Sequence, residues 1–500
     1  MKKWMPALTV ALGILFSVLF YRQALGLNFV IFESIALLVM FFVYRPIIKN
    51  PMLLFVVLAT LASLAAWFFT HTAWAFTVHL FFLIMLPVML SSPNFRSLIY
   101  LYVESVVHLV SAQVGYFQAL GACGNKKPAT RSFFRVLTWI GVPLLVVIVF
   151  VFLYRIANPV FDNHVTAAAD AVARWLSYIS WGWFWTFLFG VFVCNVLFVK
   201  FGEAALYSID KASSDTLTRK MQRKPRRFRM NALVTEYRSG LFLLIALNAL
   251  ILYLNIIDVV WVWFGFEWNG DYLKQFVHSG TWILVFSILI SMVIVIFYFR
   301  GNLNFYRKNI WLKRLAVLWI LQNAVMAVSV VIRNLWYIHY FALAYKRIAV
   351  LFFLLLVFVG LITVIVKIYK TKSVFWLIRV NSLALFSVLL FSSFFQWDRM
   401  IARYNFSHYN QSFVHFNFMA RLSNNALPEL DKDMAELNHI FEVQQLNMPF
   451  DVTDEKYMDI YRYHERIGEK KIEFIEKYES RGILSWNPAD YRTYKALKGK

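Results

Sequence analysis

Residues 327–347 read AVSVVIRNLWYIHYFALAYKR, and residues 348–367 continue as IAVLFFLLLVFVGLITVIVK. The second stretch carries a single cation, at its far end. It has the length and composition of a helix that crosses a hydrocarbon core about 30 Å thick. The first stretch is equally apolar as far as Ile332, then sets Arg333-Asn334 inside the helical pattern and follows them with aromatics, His339 and Lys346-Arg347. An ionisable group held in hydrocarbon requires a partner or water. These 41 residues therefore point to a membrane bundle, and they make Arg333 the first candidate for a site.

The rest of the chain agrees with the bundle. Of 500 residues, 60% are hydrophobic and only 15% charged, against about a quarter charged in ordinary soluble domains. A net charge of +23 would suit a nucleic-acid binder, so its location matters. Gln396–Lys500 holds 15 basic and 16 acidic residues, which leaves 35 basic and 11 acidic residues among the apolar runs. An excess of Lys and Arg beside membrane spans is the positive-inside pattern. Nucleic acid is thereby excluded as the expected partner.

Eleven spans are expected. Met1-Lys2-Lys3 with the apolar Trp4–Tyr21 resembles a signal peptide, but Ala24-Leu25-Gly26 is a poor cleavage site and another apolar run follows at once, so the first span reads as uncleaved. The others are Leu27–Tyr44, Met52–Phe69, Ala73–Leu90, Val136–Tyr154, Tyr178–Val199, Gly240–Trp263, Gly280–Phe299, Leu315–Arg333, Ile348–Lys367 and Phe375–Phe395. In Arg96–Leu120 the residues Ser97, Glu104, His108 and Ser111 share one helical face. A basic loop follows, which belongs with the basic N-terminus only if 97–120 does not cross, so an interfacial helix is expected there. On this scheme 28 Lys and Arg lie in cytoplasmic loops and 7 in outer ones. That asymmetry places the N-terminus in the cytoplasm and the tail outside, in the inner membrane of a bacterium.

The expected fold is thus all-α: a polytopic transmembrane bundle of about 11 spans, or 12 if 97–120 crosses, over residues 1–395, with a small extracytoplasmic helical domain over 396–500. In that tail Leu430–Gln445, Asp454–Ile467 and Glu469–Ser480 read as amphipathic helices, bounded by Pro428, Pro449 and Gly482.

Depth selects the candidate residues. Counting along the helices at about 1.5 Å per residue, Glu33, His79, Asp258 and Arg333 all fall in the outer third of the membrane. Asn248, Asn255 and Asp258 form one helical stripe, and Gln322, Ser329 and Arg333 another. The expectation is an outward-facing polar pocket in which Asp258 or Glu33 neutralises Arg333. Against it stands interhelical hydrogen bonding with charges that snorkel to water. A second candidate surface is the loop 200–238, where Arg223, Lys224, Arg226, Arg227 and Arg229 form a polybasic run suited to anionic lipid head groups or a docking partner. Cys123 and Cys194 lack metal-ligand spacing, and His408 and His415 lack a third ligand, so no metal and no cofactor are expected. No phosphate-cradling glycine motif and no nucleophile–His–acid order stands out.

Short motifs carry a resemblance: Leu25-Gly-Leu-Asn28, Ala157-Asn-Pro-Val-Phe161, Glu236-Tyr-Arg238, Asn255 to Asp258, Arg333-Asn334 with Tyr345-Lys346-Arg347, Asn381, Trp397-Asp398, Asn405, Leu422-Ser423 and Ala426-Leu427-Pro428. The chain resembles a family of polytopic bacterial membrane proteins known only as a domain of unknown function. The resemblance implies an inner-membrane protein and no activity, cofactor or substrate. The leading functional expectation is a transporter or flippase-like protein. The alternatives are an envelope scaffold or sensor with a signalling protein as partner, and a lipid-linked transferase.

Overall fold

A computed structural model of the chain describes residues 4–44, 50–123, 142–177, 180–199, 205–219, 229–264, 281–448 and 459–499. Among these residues every regular element is a helix, apart from one isolated bridge between Thr216 and Lys372. Nine of the described helices are long and apolar enough to cross a membrane. The fold is an all-α polytopic bundle.

The first half comprises α1 (Met5–Phe20), α2 (Leu27–Tyr44), α3 (Pro51–Thr70), α4 (Ala73–Ser91), α5 (Leu98–Cys123), α6 (Val142–Ala157), α7 (Pro159–Ser177) and α8 (Trp181–Phe198). Helices α1 to α5 and α8 share one hydrophobic core. The α1–α8 contact is close because Gly190 lies under Phe16, where a Cβ would come within 2.8 Å of the Phe16 Cβ. Small residues at a helix crossing allow this packing in a solvent that supplies no hydrophobic drive. Helix α5 runs antiparallel to α8: His108 bonds the Val196 carbonyl, Gln113 bonds Asn195 and the Phe192 carbonyl, and Tyr116 packs near Val191.

A short helix α9 (Ala205–Ala212) ties the turn before α5 in place. Asp210 accepts the amides of Arg96 and Ser97 at 2.8 and 3.0 Å, and Asp215 pairs with both Arg96 and Arg379. Burial pushes the Asp210 carboxyl up, and the amides of Arg96 and Ser97 pull it back.

The second half contains α10 (Arg229–Asp258), which ends in a π-helical turn over Val259–Phe264, then α11 (Thr281–Tyr298), α12 (Ile310–Phe341), α13 (Tyr345–Tyr369) and α14 (Val374–Ser392). Residues from all five build a second core. Helix α14 belongs to both cores, through Phe386 to the first and Leu377 to the second.

One sequence expectation fails here in an informative way. The expected spans end at Arg333 and resume at Ile348, yet α12 continues unbroken to Phe341 and the turn is only Ala342–Ala344. The aromatics beyond Arg333 stay helical because they are covered. Phe413 N donates to Tyr340 O, and the Ser412 hydroxyl donates to His339 O at 2.6 Å.

That cover is the C-terminal helical unit, made of α15 (Trp397–Ser407), α16 (Met434–Asn447), α17 (Ile460–Glu479) and α18 (Pro488–Lys498) with short turns between α15 and α16. It has its own core, which Ile348 of α13 joins. The two helices expected over 454–467 and 469–480 are one helix, capped by Asp459 and continuous through Gly468. A mid-helix glycine costs about 1 kcal/mol, and the buried seam of Tyr463, Ile467 and Phe474 outweighs it. The unit bonds three turns of the bundle. Leu27 N donates to Trp486 O, Asn425 donates to Thr70 O, and Asn405 bonds both the N–H and the carbonyl of Leu343. At Gly26 a Cβ would lie 2.5 Å from the Ser485 carbonyl carbon, so only glycine fits beneath the unit there.

Candidate functional site

Among the described residues, two buried ionisable pairs lie inside the bundle. In the first half, α2 presents Glu33, α4 presents His79 and α3 presents Ser63. The Glu33 carboxylate lies 2.8 Å from His79 Nε2, and Ser63 Oγ lies 3.0 Å from Nδ1. The relative exposures are 2%, 0% and 0%, so bulk water solvates none of them. The rings of Phe29, Trp67 and Phe76 pack together on the side toward the C-terminal unit, and Phe29 meets the His79 ring edge-on.

In the second half the Arg333 guanidinium donates to Asp258 at 2.6 Å, with both side chains buried. Asp258 is the last α-helical residue before the π turn, and such turns recur at functional sites. Below the pair, the stripes on α10 and α12 are stitched together. Gln322 donates to Asn248 at 2.8 Å, Asn255 donates to the Gln322 carbonyl, and Trp263 donates to Ser329. This is the interhelical bonding reading of Asn255 and Gln322, while Asp258 is the neutralising partner expected for Arg333.

The four ionisable residues do not converge on one pocket. Glu33 pairs with His79 within the first core, and Asp258 pairs with Arg333 beside the second. Of the polybasic run, Arg223, Lys224, Arg226 and Arg227 lie outside the described residues, and Arg229 only begins α10. No group of three metal-ligating side chains occurs among the described residues.

The open space lies elsewhere. A cleft of about 540 Å³ opens between the start of α4, the first half of α13 and the end of α14. Its walls are Ile348, Phe352, Leu356 and Leu389, and its polar end holds Thr72, Tyr345 and Asp398. The Tyr345 hydroxyl donates to Asp398, whose other oxygen accepts Ser423 N at 3.0 Å. Trp74 closes one side by donating to Ser392. The sequence signal for this place was the Tyr345 and Trp397-Asp398 motifs. They read as family marks rather than a site, because only the fold brings them together. Ser63 carried no signal at all, as one hydroxyl in an apolar helix.

The model of one protein family matches residues 10–432, described as a domain of unknown function, DUF4153. The chain belongs to this family. No curated protein and no solved structure matches it. The DUF4153 match includes both buried pairs, the cleft and the first turns of the C-terminal unit, and ends before α16. With its many apolar helices, this DUF4153 chain is a multi-pass membrane protein.

Proposed function

We propose that this DUF4153 protein is a flippase-like transporter that takes one chain of an amphiphile into the cleft between α4, α13 and α14. The cleft itself carries the reading. Its 540 Å³ falls within the roughly 300–1,000 Å³ of small-molecule sites, and its walls are apolar while one end offers a carboxylate and a phenol. A hydrophilic solute finds no polar path in it, whereas an acyl chain with a polar head matches both ends. The buried pairs balance their own charges and leave the substrate to this cleft.

Charge asymmetry supports an N-terminus in the cytoplasm of a bacterium and a C-terminal unit outside its inner membrane. On that orientation the cleft opens toward the outer leaflet, and the run from Arg223 to Arg229 meets anionic head groups inside. Docking of the unit on three turns of the bundle favours a second reading, an envelope sensor whose outer unit acts on the helices beneath.

The test is lipid retention and translocation by the purified full chain. Ala349→Trp fills the cleft wall. The expected result is loss of co-purified lipid by native mass spectrometry and loss of lipid exchange between the leaflets of reconstituted vesicles. A folded variant that keeps both would overturn the reading and leave the sensor as the better one.

A further inference from the structure

The proton order of the Glu33–His79–Ser63 set turns on Ser63, whose oxygen lies 3.0 Å from both the Thr60 carbonyl and His79 Nδ1. Ser63 has one hydrogen, and the Thr60 carbonyl can only accept. Given to Thr60, that hydrogen leaves Ser63 Oγ to accept from His79, so Nδ1 carries a proton. The Nε2 face then meets Glu33 Oε2 at 2.8 Å. A contact that short between two acceptors requires a proton between them, whichever atom owns it. In that order the pair is neutral, as imidazolium with carboxylate or imidazole with carboxylic acid. A neutral resting state is the least costly one in hydrocarbon. Glu33 Oε1 remains, buried and without a hydrogen-bond partner. An orphaned carboxyl oxygen in a dry site costs about 1–3 kcal/mol or more, and here it is an acceptor open to a proton.

We propose that Glu33, with His79 and Ser63, is a proton-binding site of the membrane bundle. A second proton arrives at Oε1, giving a carboxylic acid beside an imidazolium, and the site alternates between neutral and singly positive. Discharge reverses the step, with one proton returned and the shared one kept. No electron moves and no other reactant is needed.

The geometry also gives the side of entry. Glu33 lies six residues past Leu27, and Ser63 and His79 lie seven from Thr70 and Thr72, so the set sits about 10 Å below the turns that the C-terminal unit covers. The aromatic layer of Phe29, Trp67 and Phe76 lies between. Among the described residues the titratable or charged groups above it are His71 on the α3–α4 turn and Asp490, Arg481 and Arg492 of the unit, and Arg492 donates to Phe69 O at 2.7 Å. Helix α3 adds only the Ser63 hydroxyl and the Thr60 carbonyl to the set itself.

The inference stands apart from the cleft and does not require that it bind lipid. It is tested by infrared difference spectra of the full chain in lipid nanodiscs, stepped between about pH 8 and 4. A carboxylic C=O band should grow on acidification, vanish in Glu33→Gln and persist in Asp258→Asn. Ser63→Ala should move its midpoint by about one pH unit, a tenfold change in proton affinity, while leaving the band in place. If Glu33→Gln does not fold, His79→Gln serves, and there the band should shift in position as well as midpoint. A band indifferent to the Glu33, His79 and Ser63 substitutions, or none that titrates, overturns the proposal. A purely structural role would change the melting temperature and give no titrating band.

Discussion

The Arg333 guanidinium and the Asp258 carboxylate meet at 2.6 Å inside the bundle, joining α12 to the last α-helical turn of α10. Removing one partner of such a pair strands the other charge, at about 3–5 kcal/mol, whereas removing both strands neither. Asp258→Ala and Arg333→Ala should each lower the melting temperature of the purified protein, and the double variant should recover part of the loss. A double variant as unstable as the two losses summed would show that the pair is not a closed unit.

The turn after α12 stores strain. Ala342 adopts φ 62° and ψ −168°, a region nearly confined to glycine, and it is fully buried. Arg347 holds it there by donating to the carbonyls of Phe341 and Ala342, while Asn405 clamps Leu343. Ala342→Gly should relieve the strain and raise stability by about 1–3 kcal/mol, less what glycine adds to the disorder of the unfolded chain. Arg347→Ala should act in the opposite direction. Chemical unfolding in mixed micelles measures both, and a destabilised Ala342→Gly would contradict the strain.

His71 makes docking of the C-terminal unit pH-dependent. Burial lowers its imidazole below the usual 6.5, opposed by Asp490 and reinforced by Arg481. The folded site thus resists a proton that the undocked one accepts. The undocked state binds more protons below about pH 6.5, so stability falls as pH drops through that value toward the folded one, and no contribution is lost above it. Proteolysis of residues 397–499 should accelerate between about pH 7 and 5. His71→Asn tolerates the observed φ of 47° and should flatten the dependence. An unchanged slope in that variant would assign it to another group.

How far the sequence could be read depended on what the solvent imposes. Helices such as Leu27–Tyr44 and Ala73–Ser91 were legible nearly to the residue, because hydrocarbon leaves a spanning segment few alternatives. The Asp258–Arg333 pair was legible for the same reason, as two costly groups at one depth. The extension of α12 to Phe341 was not, since its cause is contact with Ser412 and Phe413, seventy residues on. Helices α15 and α18 also escaped notice. Their apolar faces are short, and the bundle turns beneath Asn405 and Arg492 help to hold them. The pairing of Glu33 with His79 rather than with Arg333 needed the packing of α2 on α4, which equal depth cannot decide.

The course of α5 separates two topologies. The basic run after it argues for a helix in the interface plane, which would leave Cys123 on the face of the bundle where Arg96 meets Asp210 and Asp215. The contacts from His108 to Tyr116 instead descend along α8 in step with it, from Val196 to Val191. Helix α8 starts beside Tyr21, because Ser180 bonds the Tyr21 hydroxyl at 2.7 Å, and Tyr21 belongs to the face that the C-terminal unit covers. A helix antiparallel to α8 that starts at Arg96 must climb toward that covered face. We expect α5 to cross, with α6 and α7 together returning the chain to the covered face in an even number of further passes. Cys194 is buried, so a Cys194→Ala chain keeps Cys123 as its single thiol. In sealed vesicles of known orientation, an impermeant maleimide should label Cys123 from the same side as a Ser480→Cys reporter on the C-terminal unit. Labelling from the side of a Ser214→Cys reporter would restore the interfacial helix and leave α6 with the crossing.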